Sequence, residues 1–247
     1  MTAPTAVELL TLWEQCLPLA PIGRAMAMLE LSSPSEPHDA VAALPIGTRD
    51  MRLLRLRART FGGHLTGITQ CPNCGEAVEL GIDANDLLAG ATVPVRDGSD
   101  PLGVDHEGYH VSFRLPTSTD IASLVEMQSD ADLGRALLNR CLRWVEYDGC
   151  PVATDELPDD VVDAIAESMA ANDPMAKIEL SCACPSCGNE WLALLDIPAF
   201  VWAELDAFAK KLLQDVHVLA SGYGWPESQI LALTPTRRQI YLDMVTG

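Results

Sequence analysis

Aromatic residues are scarce in this chain, with Phe, Trp and Tyr making up 5% of 247 residues. Its core must therefore be built from Leu, Val, Ile, Ala and Met. With 48% hydrophobic residues there is enough material for a sizeable one, as one large domain or two small ones. Basic residues are also few, 16 against 35 acidic, for a formal net charge of −19. That charge favours solubility and repels nucleic acid and anionic membrane, so neither is an expected partner. No run of about 18 uncharged apolar residues occurs, and no transmembrane helix is expected. Glu8 and Glu14 interrupt the first apolar stretch, which lacks the basic start of a signal peptide. The expected compartment is the cytoplasm.

The usual marks of catalysis are missing as well. His38, His64, His106, His110 and His217 are scattered, with no HExxH pair. There is no GxSxG elbow, no P-loop and no GxGxxG. The acidic run 155–160 has no EF-hand frame and reads as a solvated helix start. No active site, and hence no small-molecule substrate, is expected.

Cysteine, by contrast, is plentiful, with eight in the chain. In a cytoplasmic protein they point to metal or inert thiols rather than disulfides. Four fall in a repeated frame, Cys71-Pro-Asn-Cys74-Gly and Cys184-Pro-Ser-Cys187-Gly. Each frame sets two thiols on one tight turn. Proline pre-sets the turn and glycine lets the backbone curl, so that amides can point at the sulfurs. Two such knuckles supply four thiolates to a tetrahedron, the closed shell of structural zinc. One CxxC alone could be a redox pair, but both copies precede strand-like segments rather than open a helix. The reading is one structural zinc per chain on Cys71, Cys74, Cys184 and Cys187. Cys182, two residues before Cys184, could also lie near the metal; Cys184 is preferred because it repeats the frame. Cys16, Cys141 and Cys150 read as buried small hydrophobes. About a hundred residues separate the knuckles, where a compact ribbon has roughly 15–20. The stretch between them must be an inserted subdomain pinned at both ends. By analogy with a disulfide, closing that loop removes about 4–5 kcal/mol of unfolded-chain entropy.

Apolar periodicity predicts helices over 5–31, broken in two by Pro18 and Pro21, and over 47–63, capped by Thr48 or Asp50 and ended by Gly62–Gly63. A polar loop is expected at 32–39. Hairpins are predicted at 65–82 and 177–197, folded about the knuckles, with a connector at 86–90. Two strands, 92–95 and 109–115, flank the Gly/Asp-rich turn 97–108. Helices follow at 117–127 (capped by Ser118 or Thr119), 130–144, 157–170, 200–221, 226–233 and 236–245. The expected class is α+β: a zinc ribbon of two CPxCG hairpins with a long inserted α/β subdomain, flanked by N- and C-terminal helices. The expected division is an N-terminal helical region (1–64), the ribbon in two halves (65–90 and 176–198), the insert (91–175) and a C-terminal helical region (199–247).

Two clusters invite a docking reading. Arg49, Arg52, Arg55, Arg57 and Arg59 crowd one predicted helix. They either present Arg52, Arg55 and Arg59 to an acidic partner or pair with the chain's own carboxylates, and the second reading is preferred. After GYGW, the last two helices are too short for a core of their own. They either fold back on Leu212, Val216 and Leu219, the preferred reading, or dock a partner. In the docking case Trp225 and Tyr241 are anchors and Arg237 and Arg238 a polar rim.

The order of these features resembles a phage baseplate family. LPIGTRDMRLLRLRARTFG comes first, then CPNCGEAVEL, FRLPTSTD and CPSCGNEWLALLDIPAF, and the chain closes with YGW…RRQIYL. It is similar to the zinc-ribbon baseplate proteins of contractile phage tails and contractile injection systems, grouped with T-even-type baseplate hub assembly proteins or chaperones. The resemblance implies a non-enzymatic role in building a baseplate or its hub. Its partners would be baseplate or hub subunits, and its place the bacterial host cytoplasm or the assembled particle. The alternative is a zinc-ribbon nucleic-acid or transcription accessory protein, against which the charge argues. An enzyme with a merely structural zinc is the third reading.

Overall fold

The computed structural model describes residues 3–90, 101–126 and 132–247. The strand expected at 92–95 lies outside them. The described residues form a mixed α and β molecule, consistent with the α+β expectation, in which helices accompany three small antiparallel sheets.

Helix α1 (Ala6–Cys16) opens with a reciprocal capping box between Thr5 and Glu8. Pro21 starts α2 (Pro21–Ser32), so the two prolines divide the N-terminal helices as expected. Where a plain loop was expected, α3 (His38–Ala42) forms a single short turn of helix at its end. Helix α4 (Ile46–Phe61) stops at Gly62, whose φ of 97° suits only glycine. Its start differs from the expectation. The N-cap position is Pro45, and Thr48 and Asp50 lie buried within the helix. The first amides are satisfied from far away: the Ile46 N–H donates to the Pro116 carbonyl, and the Gly47 N–H to Asp173 Oδ2 at 2.9 Å. A Cβ on Gly47 would stand 2.0 Å from Asp173 Oδ1, so this contact needs glycine.

The first knuckle joins β1 (His64–Gln70) to β2 (Ala77–Asp83), and α5 (Ala84–Gly90) replaces the expected connector. The intervening segment then builds a four-stranded sheet, β3 (Leu102–His106), β4 (Tyr109–Phe113), β5 (Leu142–Tyr147) and the two-residue β6 (Cys150–Pro151). Two expectations fail here. Strand β3 lies in the stretch expected to turn, 97–108, because Leu102 and Val104 alternate with Gly103 and Asp105. Among the described residues of that stretch, Glu107-Gly108 make the turn, both at positive φ, as do Asp148-Gly149 in the next hairpin. The helix expected through Trp144 ends at Cys141 as α7 (Leu133–Cys141), and the chain continues as β5.

Helix α6 (Ser118–Glu126) starts where Thr117, rather than Ser118 or Thr119, exchanges hydrogen bonds with Asp120. Helix α8 (Asp159–Asn172) covers one face of the sheet, with Val161 and Ile165 packed on Val111, Phe113 and Val145. The second knuckle joins β7 (Ile178–Ala183) to β8 (Glu190–Leu195), which leads into α9 (Ile197–Tyr223).

The largest core brings α1, α2 and α4 against the first half of α9 through Leu12, Met28, Leu54 and Val201, with Leu65 sealing the start of β1. Helices α10 (Glu227–Leu231) and α11 (Pro235–Thr246) fold back on the second half of α9. Ile230 and Leu242 pack there against Val216 and Leu219. Among the described residues, no helix is long and apolar enough to cross a membrane.

Candidate metal centre

Each knuckle is a six-residue loop closed by the same two backbone bonds. The Cys71 N–H donates to the Glu76 carbonyl and the Gly75 N–H to the Cys71 carbonyl, both at 2.9 Å; Cys184 with Asn189 and Gly188 with Cys184 repeat this at 2.9 Å. Gly75 and Gly188 have φ of 75° and 73°. A Cβ at either would meet nothing within 4 Å. The glycines are needed for the left-handed backbone, not for space.

The hairpins meet so that the first cysteine of each faces the second of the other. Cys71 Sγ lies 3.7 Å from Cys187 Sγ, and Cys74 Sγ lies 3.6 Å from Cys184 Sγ. All four sulfurs fall within 4.8 Å of one another. Sulfurs about 2.3 Å from one zinc stand about 3.8 Å apart at the corners of a tetrahedron. The cluster therefore has the dimensions of a closed four-thiolate shell, and its soft donors suit zinc. Cys71 and Cys184 are buried, while Cys74 and Cys187 sit at the surface.

Crowding sets the proton affinities of these thiols apart. The Asn73 side chain donates to Cys187 Sγ at 3.5 Å and the Asn189 amide adds to it, holding this thiol down at about 6. The Glu76 amide favours the Cys74 thiolate in the same way. The neighbouring thiols Cys187 and Cys184 outweigh it and push Cys74 up to about 12. Four adjacent sulfurs cannot all ionise by themselves, whereas a dication would ionise them together.

Cys182 stands apart from this group. Its Sγ–H donates to the Leu180 carbonyl at 3.4 Å, and the residue is buried on β7 opposite Trp191. Cys16 and Cys141 are buried, as expected; Cys150 is exposed on β6 beside a tight turn, contrary to expectation. His106, Glu107 and Asp160 also gather within 4.8 Å of one another. They lie at the surface, with His106 Nε2 3.5 Å from Asp160 Oδ2.

The first hairpin is tied to α4 and α9 by a residue the sequence presents only as one arginine among five. Arg57 is 3% exposed and bidentate to Glu204 of α9, with both bonds at 2.7 Å. It also donates to the carbonyls of Gly62 and His64, fixing the entry to β1. Of the other arginines, Arg49 is buried against Asp50 and Ser118, and Arg52 chelates Glu36. Arg55 and Arg59 are exposed. In the tail, Trp225 stacks on Tyr223 at 4.6 Å and meets Tyr241 edge-on at 4.9 Å. Arg237 is exposed. Arg238 is not a rim residue: it is 6% exposed and reaches Asp215 at 3.4 Å. Its Nη1 is buried without a partner.

A family model described as T4 bacteriophage base plate protein matches residues 27–202, more than half of the chain and both knuckles. No curated protein and no solved structure matches.

Proposed function

Because the chain belongs to the T4 bacteriophage base plate protein family, we propose that it is a non-enzymatic structural or assembly protein of the baseplate or its central hub. It would serve a contractile phage tail or a contractile injection system, with baseplate or hub subunits as its partners. The observation that carries this reading is the family match itself, which runs from α2 into α9.

The reading includes one structural zinc, held by Cys71, Cys74, Cys184 and Cys187, whose sulfur separations fit its shell. When bound, the metal supplies an inert four-coordinate crosslink. The residues themselves set its place: two matched turns, two buried thiols and two amide-supported thiols at the surface. The zinc ties the two ends of the intervening segment to the α4–α9 platform, so that the segment projects from a fixed base.

Elemental analysis of protein purified without added metal should give about one zinc per chain. Deleting the gene should abolish tails or their contractile baseplates, and the protein should co-sediment with baseplate intermediates. Absence of zinc removes the metal from this reading, and normal tails from the deletion strain remove the assembly role. Tight, steeply salt-dependent DNA binding would instead favour the nucleic-acid alternative.

A further inference from the structure

The acid of this molecule is not spread evenly. Residues 65–198 contain 24 acidic and 6 basic side chains, and the remaining 113 residues contain 11 and 10. The four-stranded sheet lies within that acidic stretch. One of its faces is filled by α8, whereas the other faces outward.

A bulge decides what that outward face carries. Phe113 pairs with Leu142, but Ser112 pairs with Trp144, so Arg143 is the extra residue. Strict alternation from the inward Leu142 would send Trp144 into the core and Val145 out. The bulge reverses this: Val145 is buried, and Trp144 is 50% exposed. The outward face then consists of two cross-strand rows. Gly103, Ser112 and Trp144 form one; Asp105, His110 and Glu146 form the next. Gly103 has no side chain and Ser112 is buried at 6% exposure, so the indole is the exposed side chain of its row. In the second row His110 is bonded to Asp105 at 2.7 Å, and Glu146 and Asp148 lie near the same imidazole. Arg143 is engaged within the chain.

We propose that this face, with Trp144 at its centre and Glu146 beside it, is a docking surface for an arginine- or lysine-bearing segment of a neighbouring baseplate subunit. The inference rests on the baseplate reading above. An indole face attracts a guanidinium or ammonium, and the attraction grows when carboxylates stand alongside. A second copy of this chain would bring its own −19 charge and be repelled. Large exposed aromatics of this kind dominate binding where they meet a partner.

The test uses a tail-producing strain with the gene deleted and supplied in trans. W144F should restore tail yield to within about twofold of wild type, and W144A should lower it about tenfold, as expected on losing one aromatic anchor. E146K should also lower it. Circular dichroism and zinc content of each purified variant should match wild type, since the side chain lies outside the core. With a photo-crosslinking amino acid at position 144, the captured peptide should come from one baseplate subunit and contain Arg or Lys. Normal tails from both W144A and E146K would overturn the proposal and leave the baseplate role standing. So would a crosslink to a second copy or to a segment without a cation. Normal tails from the deletion strain would overturn both.

Discussion

The helices around the main core and the segment between the knuckles each hold a buried arginine–carboxylate clamp, and the two clamps work in opposite surroundings. In the helical part Arg57 grips Glu204, residues 147 positions apart, amid nearly balanced charge. In the intervening segment Arg114 and Arg140 converge on Asp120, buried at the start of α6 in a strongly acidic stretch. Burial alone would raise the Asp120 carboxyl. Arg114 and Thr117 outweigh it and hold the carboxyl down at about 2. The first clamp joins distant parts of the chain; the second tightens one corner of a local unit. Similar chemistry thus serves long-range closure in one place and local geometry in the other.

The comparison can be broken most severely at the metal. Cys74→Ser or Cys187→Ser should remove the tie between the hairpins. The loss includes about 4–5 kcal/mol of loop closure by the disulfide analogy. Soluble yield and zinc content should both fall, while Cys182→Ser should keep its zinc. A zinc-replete, fully soluble Cys74→Ser protein would show that the knuckles are not the shared anchor.

Next in size is Arg57→Ala. It strips Glu204 and two strand-entry carbonyls of their donor and should cost about 3 kcal/mol in chemical unfolding. Hydrogen exchange should rise at β1 and α9 together. Asp120→Asn should instead raise exchange only around α6 and α7. Identical exchange patterns for the two variants would erase the distinction between long-range and local clamps.

The smallest effect concerns the seam between the regions. Burial pushes Asp50 up to about 6 despite its bond to Arg49. A carboxyl raised on folding contributes stability that is complete below its unfolded value near 4 and is lost as pH rises through 6. Wild type should therefore lose up to about 3 kcal/mol across that window, on top of any other titrations. Asp50→Asn should lack that component, as urea denaturation at a series of pH values would reveal. An unchanged pH slope would count against it.

Much of this was legible in the sequence, wherever the signal was local. Prolines divided α1 from α2, glycine ended α4, and the doubled CPxCG frame located the four thiols that the fold brings together. What was not legible depended on partners far along the chain. Thr48 and Asp50 have the chemistry of caps, but Asp173 and Pro116 satisfy the amides first. Strand β3 was hidden because glycine and aspartate occupy its outward positions. Strand β5 carries a helical signal because its apolar residues continue the spacing of α7, and pairing with β4 decides between the two. Arg238 looks like a surface residue until α11 is laid on α9. The bulge at Arg143 leaves no mark in composition, although it decides which way Trp144 faces.

The connectivity of the cores also sets an order of events during synthesis. The core under α8 is complete once residues up to Ile165 have left the ribosome. The main core needs Val201 and Leu205 from α9, and the first knuckle needs Cys187. At about 5–20 residues per second, α1, α2, α4 and the first pair of thiols wait several seconds for their counterparts. The middle of the chain would thus fold before its beginning, with the early helices exposed to chaperones until α9 arrives. Protease digestion of chains stalled with residue 175 emerged should spare the sheet strands and α8 and cut the helices α1, α2 and α4.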